Sequence, residues 1–144
     1  MSIKQISVFL ENKPGSLDEM TRVLAGADID LRALSLAESS DFGIARMIVD
    51  DVYDTTTVLK EAGYVCSLTS VLAVRVPDEP GGLNKLLEVL NGAEINLEYM
   101  YAFLGGKDVT SAYMILRISD VEKAEAVLVS KHFMLVDQET ISDL

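Results

Sequence analysis

Residues 11–17 read Glu11-Asn12-Lys13-Pro14-Gly15-Ser16-Leu17, and residues 77–83 read Pro77-Asp78-Glu79-Pro80-Gly81-Gly82-Leu83. Each stretch follows alternating apolar residues and precedes apolar residues at helical spacing, so each is predicted to be a corner between a strand and a helix. Pro14 and Pro80 lie 66 positions apart (80 − 14 = 66). Further pairs keep that offset, namely Leu17 and Leu83, Leu24 and Leu90, Ala27 and Ala93, Ile29 and Ile95, and Leu31 and Leu97. A register held over this length indicates two copies of one small unit.

Each copy predicts the order strand, helix, strand, strand, helix, strand. In the first copy, Ile3–Leu10 alternates as a strand does, and Ser16 and Glu19 have the spacing of a capping box. The first helix is therefore predicted to begin near Ser16 and to end at Gly26, where a left-handed residue is common. Tyr64–Leu68 and Val71–Val76 are predicted to be separate strands, one closing the first copy and one opening the second.

This order predicts an α+β fold of two tandem ferredoxin-like βαββαβ units, each an antiparallel four-stranded sheet with helices on one face. The predicted units cover residues 1–69 and 70–144, with no Pro/Gly/Ser-rich linker between them. Several large apolar residues exceed what one helical layer can cover, and this surplus predicts contacts between sheets and between chains. They are Leu34, Leu36, Phe42, Tyr99, Tyr101 and Phe103.

Composition excludes several classes of function. With 12 Lys and Arg against 23 Asp and Glu, the formal net charge is −11, which opposes binding to nucleic acid or to an anionic membrane. Cys66 is the single cysteine, so neither an internal disulfide nor a cysteine-based metal centre is expected. No apolar run reaches transmembrane length and the first residues lack a signal-peptide core, so a cytoplasmic location is expected.

No catalytic motif or cofactor-binding motif occurs, so neither an enzyme nor a cofactor is predicted. His132 is the single histidine, and a structural role at or near the surface is favoured over a catalytic one. An RNA-recognition domain of the same topology would need exposed aromatic residues on its central strands, and Ile44–Val49 has none.

The two corners carry the remaining chemical signal. A loop that turns into a helix offers free backbone N–H groups and the positive end of the helix, which suit a carboxylate. Gly15 and Gly81 allow close approach to the backbone, and Asn12 or Asp78 places a side-chain oxygen where an ammonium group could bind. A free amino acid carries both charges. On the residues alone, a simple tight turn with a capping Asn or Asp is the favoured interpretation.

The pattern [Asn/Asp]-x-Pro-Gly-x-Leu, helix, Ile-[Asn/Asp]-Leu resembles the ACT domain family. One copy carries it as Asn12-Lys13-Pro14-Gly15-Ser16-Leu17 with Ile29-Asp30-Leu31, and the other as Asp78-Glu79-Pro80-Gly81-Gly82-Leu83 with Ile95-Asn96-Leu97. The resemblance implies a non-enzymatic regulatory protein that binds a free amino acid at the corner between domains. Asp30 or Asn96 would reach the ligand from the second strand of a neighbouring domain. It leaves open which amino acid binds and which corner it occupies.

The apolar surplus predicts a homodimer, and the resemblance implies that the dimer controls a metabolic enzyme or regulator. The alternative is a regulatory subunit that acts by protein contact alone, without a small-molecule ligand. A small enzyme of an unfamiliar kind is the weakest interpretation because acid and base groups are lacking.

Overall fold

The computed structural model describes residues 1–104 and 106–144. It contains strands, four α-helices and a short 3-10 helix at Ile141–Asp143. In chain order the elements are β1 (Ile3–Glu11), α1 (Ser16–Gly26), β2 (Leu31–Glu38), β3 (Phe42–Val49), α2 (Val52–Glu61), β4 (Cys66–Pro77), α3 (Gly82–Gly92), β5 (Leu97–Ala102), β6 (Ser111–Ile118), α4 (Val121–Ser130) and β7 (Met134–Val136).

The chain divides into two compact units, and the division falls inside β4. The N-terminal unit comprises Lys4–Thr69, and the C-terminal unit comprises Ser70–Leu144 together with Met1–Ile3. Both units repeat the βαββαβ order, which confirms the predicted α+β class with tandem ferredoxin-like units.

In the N-terminal unit, β3 pairs antiparallel with β1 on one side and β2 on the other. On the other edge of β1, the Phe9 N–H donates to the carbonyl of Val65 at 3.2 Å, just before β4. Both helices cover one face of this sheet because alternate strand residues and one stripe of each helix are apolar. The buried cluster comprises Ile6, Val8, Leu10, Met20, Leu24, Ala45, Met47, Val49 and Leu59.

In the C-terminal unit, β4 lies between β6 and β7, and β5 lies on the outer side of β6, with all neighbours antiparallel. Its core contains more leucine than the core of the N-terminal unit. The buried cluster comprises Leu72, Val74, Val76, Leu86, Leu90, Ile95, Leu116, Ile118, Ala124, Leu128 and Leu135.

Three local predictions differ from the structure. Ser16 is the first helical residue and Gly15 is the N-cap, with no side-chain cap, so the capping box is wrong although the predicted start is right. Asp28, at φ 57°, is the left-handed residue after α1, whereas Gly26 is still helical. The two strands predicted between Tyr64 and Val76 are one strand, since neither Gly nor Pro interrupts residues 66–76 and Thr69 and Ser70 stay extended.

Candidate functional site

Both strand–helix corners are built on a left-handed glycine. Gly15 has φ 89° and Gly81 has φ 85°, and each is the N-cap of the helix that follows. A Cβ placed on either glycine would meet nothing within 4 Å. The backbone at each corner is therefore open, and glycine is needed for its conformation rather than for lack of space.

The start of each helix leaves backbone donors unused. Ser16 donates to the carbonyl of Lys13 at 3.3 Å, and Gly82 donates to that of Glu79 at 3.0 Å. The next two N–H groups in each helix have no hydrogen-bond partner among residues 1–104 and 106–144, and they belong to Leu17, Asp18, Leu83 and Asn84. Each corner thus combines two free donors with the positive end of a helix, an arrangement suited to an anion.

The polar residues beside the two corners differ in their bonding. The Asn12 amide donates to Glu38 Oε2 at 3.3 Å and to the carbonyl of Ser39 at 3.4 Å. The carboxylate of Asp78 is exposed, and within the described part of the chain nothing hydrogen-bonds to it or pairs with it. Asp78 is therefore free to accept a cationic group, whereas Asn12 ties the corner to the β2–β3 turn.

The Ile-Asx-Leu segments lie at the opposite end of each unit from the corner. Glu11 pairs with Phe42 at one end of β3, while Leu31 pairs with Val49 at the other. The seven residue steps from Phe42 to Val49 span about 23 Å at ~3.3 Å per residue. The C-terminal unit shows the same separation. Pro77 pairs with Ser111 at one end of β6, and Leu97 pairs with Ile118 at the other end.

The structure therefore brings together only the corner residues within each unit. Those of the N-terminal unit are Asn12, Pro14, Gly15, Ser16 and Leu17, and those of the C-terminal unit are Asp78, Pro80, Gly81, Gly82 and Leu83. The remaining predicted residues lie at the far end of their units, and they are Ile29, Asp30, Leu31, Ile95, Asn96 and Leu97. Asp30 there accepts a hydrogen bond from Arg32 at 3.1 Å and lines a cavity of about 270 Å³ rich in aspartate.

A cavity adjoins the corner of the C-terminal unit. This C-terminal cavity holds about 450 Å³ and lies between the end of β4, the first turn of α3 and the connection from α4 to β7. Its lining residues are Arg75, Val76, Pro77, Gly82, Lys85, Thr110, Ser111, Lys131, His132, Phe133 and Met134.

A smaller cavity occupies the equivalent place in the N-terminal unit. This N-terminal cavity holds about 190 Å³ and is lined by Phe9, Leu10, Glu11, Lys13, Ser16, Glu19 and Tyr64. At the offset of 66, Phe9 corresponds to Arg75, and Glu19 corresponds to Lys85 (19 + 66 = 85). The backbone position is shared, while the charge of the wall is reversed.

The charged groups of the N-terminal cavity are largely paired with one another. Lys13 Nζ lies 3.0 Å from Glu11 Oε2, and the hydrogen bond to that carboxylate raises the pKa of Lys13. Burial raises the pKa of the Tyr64 hydroxyl, so this group stays neutral at physiological pH.

The arginine in the C-terminal cavity is fixed by its neighbours. Arg75 Nε donates to Ser111 Oγ at 2.7 Å, and Nη2 forms an ion pair with Asp108. Hydrogen bonds from the hydroxyl and backbone N–H of Thr110 are the main reason that the pKa of Asp108 falls to about 2. Asp108 is therefore ionised at neutral pH and holds Arg75 against the start of β6.

Sequence reasoning missed the residues that give the C-terminal cavity its charge. Lys85, Lys131 and His132 are exposed side chains on two separate segments, α3 and the connection from α4 to β7, and no motif connects them. Comparing the two repeats position by position would have shown the replacement of Glu19 by Lys85. Lys131 and His132 come close to Lys85 only because β7 pairs antiparallel with β4. In that pairing Arg75 lies opposite Met134.

The described residues contain no group of three or more His, Cys, Asp or Glu side chains that could hold a metal ion. None of the helices in the same part of the chain combines the length and apolar composition needed to cross a lipid bilayer.

Comparison with known proteins identifies the family. The model of the ACT domain pair matches residues 1–144, so the chain belongs to this family, which is a regulatory rather than a catalytic type of domain. The expected resemblance to ACT domains is thereby confirmed. No curated protein matches the chain.

Solved structures show the same architecture. Protein BT0572 from Bacteroides thetaiotaomicron is 38% identical, with 100% of this chain and 98% of that chain covered and a TM-score of 0.92. The ligand-free regulatory subunit of aspartate kinase from Thermus thermophilus is 18% identical, with 90% of each chain covered and a TM-score of 0.66. The corresponding subunit from Thermus flavus is 17% identical over 90% of each chain, with a TM-score of 0.63. At these lower identities the two kinase subunits are evidence for the fold alone.

Proposed function

We propose that this protein is a non-enzymatic regulatory sensor that binds a free amino acid at a strand–helix corner. The observation that carries the proposal is the open left-handed glycine beside two unused backbone donors. These donors would bind the α-carboxylate, and a neighbouring Asn or Asp oxygen would bind the α-ammonium. Membership of a regulatory domain family supports the same function.

The corner of the C-terminal unit is the better candidate for occupancy. Asp78 has no partner among the described residues, whereas the NH2 group of Asn12 donates to Glu38 and Ser39 and thereby holds the side chain against the β2–β3 turn. A carboxylate also matches an ammonium group better than a neutral amide oxygen does, because hydrogen bonds between charged groups are stronger. Asp78, Gly81 and Leu83 are therefore the proposed central contacts.

A second copy of the chain would complete the site. Within one unit, Asn96 lies at the opposite end from the corner, so it can contribute only to the corner of a neighbouring domain. Exposed apolar side chains at the β1 and β3 ends of the N-terminal unit, Phe9 at 46% and Phe42 at 50%, support association of two chains.

Residues 1–69 and 70–144 would act as the two ACT-like modules of each subunit, in the cytoplasm. The occupied form would then control a partner enzyme or regulator.

Titration calorimetry with the proteinogenic amino acids, after a thermal-shift screen, tests the proposal. Ligand at 100 times its Kd stabilises the native state by ~2.7 kcal/mol. The α-amide and N-acetyl forms of the best ligand should bind about ten- to a hundredfold more weakly, because each lacks one charge-assisted contact worth roughly 1.5–3 kcal/mol.

Matched variants identify the corner. Asp78→Leu should reproduce the loss seen with the N-acetyl ligand, and Asn12→Leu should leave affinity unchanged. Equal affinity for the amino acid, its amide and its N-acetyl form would refute amino-acid recognition. No thermal shift with any amino acid would instead favour the alternative, a regulatory subunit that acts by protein contact alone. Sedimentation that shows only monomer at micromolar concentration would remove the second copy from the proposal.

A further inference from the structure

We propose that the C-terminal cavity binds a small organic anion that carries two negative charges, as carboxylates or as a phosphate. The site goes beyond the amino-acid corner, since it lies beside Gly82 and uses none of the groups assigned to the α-ammonium or α-carboxylate.

The first support is the charge of the wall. The chain has 12 Lys and Arg and one His, and three of the 12 together with that His line this one cavity. No Asp or Glu lines it within the described part of the chain. In a protein of net charge −11, such a concentration of cations creates a local positive potential that attracts anions.

The second support is that two of these cations are not neutralised. Arg75 is paired with Asp108, but Lys85 and Lys131 form no ion pair or hydrogen bond with any described side chain. The imidazole of His132 likewise has no partner among residues 1–104 and 106–144. Two unpaired ammonium groups match a ligand with two negative charges.

The third support is the size and the remaining lining. A volume of about 450 Å³ lies in the range of small-molecule sites, about 300–1,000 Å³. Phe133 and Met134 provide apolar surface for a carbon skeleton.

The fourth support comes from the sister repeat. The equivalent cavity is less than half as large, about 190 Å³, and presents Glu19 where Lys85 stands. Two residues after the end of its second helix, the N-terminal unit has Gly63 with φ 91° and the C-terminal unit has His132 with φ 66°. The same fold forms with either set of lining residues, so folding does not require the cationic residues of the C-terminal cavity.

Calorimetry on the full chain at low ionic strength tests this site with probes that lack an amino group. The probes are malate, glycerol phosphate and inorganic phosphate, so the first two distinguish a carboxylate ligand from a phosphate ligand. At least one organic probe should bind more tightly than inorganic phosphate, because only an organic probe contacts the apolar wall. No binding by any probe, or tightest binding by inorganic phosphate, would overturn the proposal.

Variants then assign the binding to the cavity. Lys85→Gln and Lys131→Gln should each weaken the best probe about tenfold or more, equivalent to ~1.4 kcal/mol. Lys123→Gln, on α4 but outside the cavity, is the matched control and should bind within about twofold of the original protein. Lys85→Arg keeps the charge and should retain most of the affinity. Equal losses in Lys123→Gln and the two cavity variants would show a general charge effect and refute the site.

This experiment is separate from that on the corner. Asp78→Leu should leave the affinity for malate and glycerol phosphate unchanged while it weakens binding of an amino acid. A negative result for anion binding in the cavity can therefore be distinguished from a negative result for amino-acid binding at the corner.

Discussion

The two units use the same corner and differ in the wall behind it. Gly15 and Gly81 have φ values of 89° and 85°, and in both units the first helical N–H donates to a carbonyl three residues back. The wall behind the N-terminal corner pairs Lys13 with Glu11, whereas Lys85 and Lys131 in the wall behind the C-terminal corner have no partner among the described residues. The backbone motif is thus fixed by folding, and the adjoining side chains are where the two repeats differ in chemistry.

Packing at the first helical residue gives the largest expected difference between the units. A Cβ at Gly82 would lie 2.2 Å from the carbonyl oxygen of Pro77, whereas Ser16 already carries a Cβ at the equivalent position. Gly82→Ala should therefore lower the free energy of unfolding by ~1–3 kcal/mol, as overpacking does. Chemical denaturation measures it, with Ser16→Ala as the control, expected to change stability by less than about 1 kcal/mol. Equal effects at both positions would show that the corners pack alike.

The left-handed glycines should respond equally in the two units. Gly15→Ala and Gly81→Ala should each cost ~1–2 kcal/mol, because an L residue is strained at positive φ while neither Cβ meets a neighbour. Thermal unfolding of both variants checks this. A loss confined to one variant would break the equivalence of the corners.

The second helix of each unit begins with an aspartate cap. Asp51 accepts a hydrogen bond from the Asp54 N–H at 2.9 Å, and Asp120 accepts one from the Lys123 N–H at 3.1 Å. Asp51→Ala and Asp120→Ala should each lower stability by ~1 kcal/mol in denaturant titrations. Asn at either position should keep most of the stability, since its side-chain oxygen can still accept the bond.

A smaller effect is expected at the second residue after α4. His132 has φ 66°, where the N-terminal unit uses Gly63. Relief of left-handed strain, ~1–2 kcal/mol, outweighs the flexibility that glycine adds to the unfolded chain, so His132→Gly should stabilise the protein by ~0.5 kcal/mol. The same variant should bind the best organic anion several-fold more weakly. A more stable variant with unchanged anion affinity would mean that the imidazole does not contact the ligand.

The smallest effect concerns pH. Because the folded pKa of Asp108 is lowered to about 2, its contribution to stability is fully present above the unfolded value of ~3.9 and is lost only as the pH falls toward 2. NMR titration of the Asp108 carboxyl carbon should show a midpoint near 2 and no change between pH 7 and 5. A midpoint near 4 would mean that the hydrogen bonds from Thr110 do not persist in solution.

Much of the local structure follows from the sequence because it depends on nearby residues. Alternating apolar residues predicted β1, the two Pro-Gly corners predicted that a helix follows each of them, and α1 begins at Ser16, as predicted. The errors occurred where two local solutions compete. Glycine at the N-cap replaced the capping box at Ser16, and an extended Thr69-Ser70 joined two predicted strands.

The sequence by itself determined the two repeats, the order of their elements and the family, because periodicity and the Pro-Gly register are properties of neighbouring residues. Tertiary structure alone decided which side chains share a site. Antiparallel pairing put Asn12 and Asp30 at opposite ends of one unit, although only 18 residues separate them (30 − 12 = 18). The same kind of pairing brought His132 beside Lys85, 47 residues away (132 − 85 = 47). The physical reason is that a sheet orders residues by hydrogen-bond register, which no spacing along the chain records.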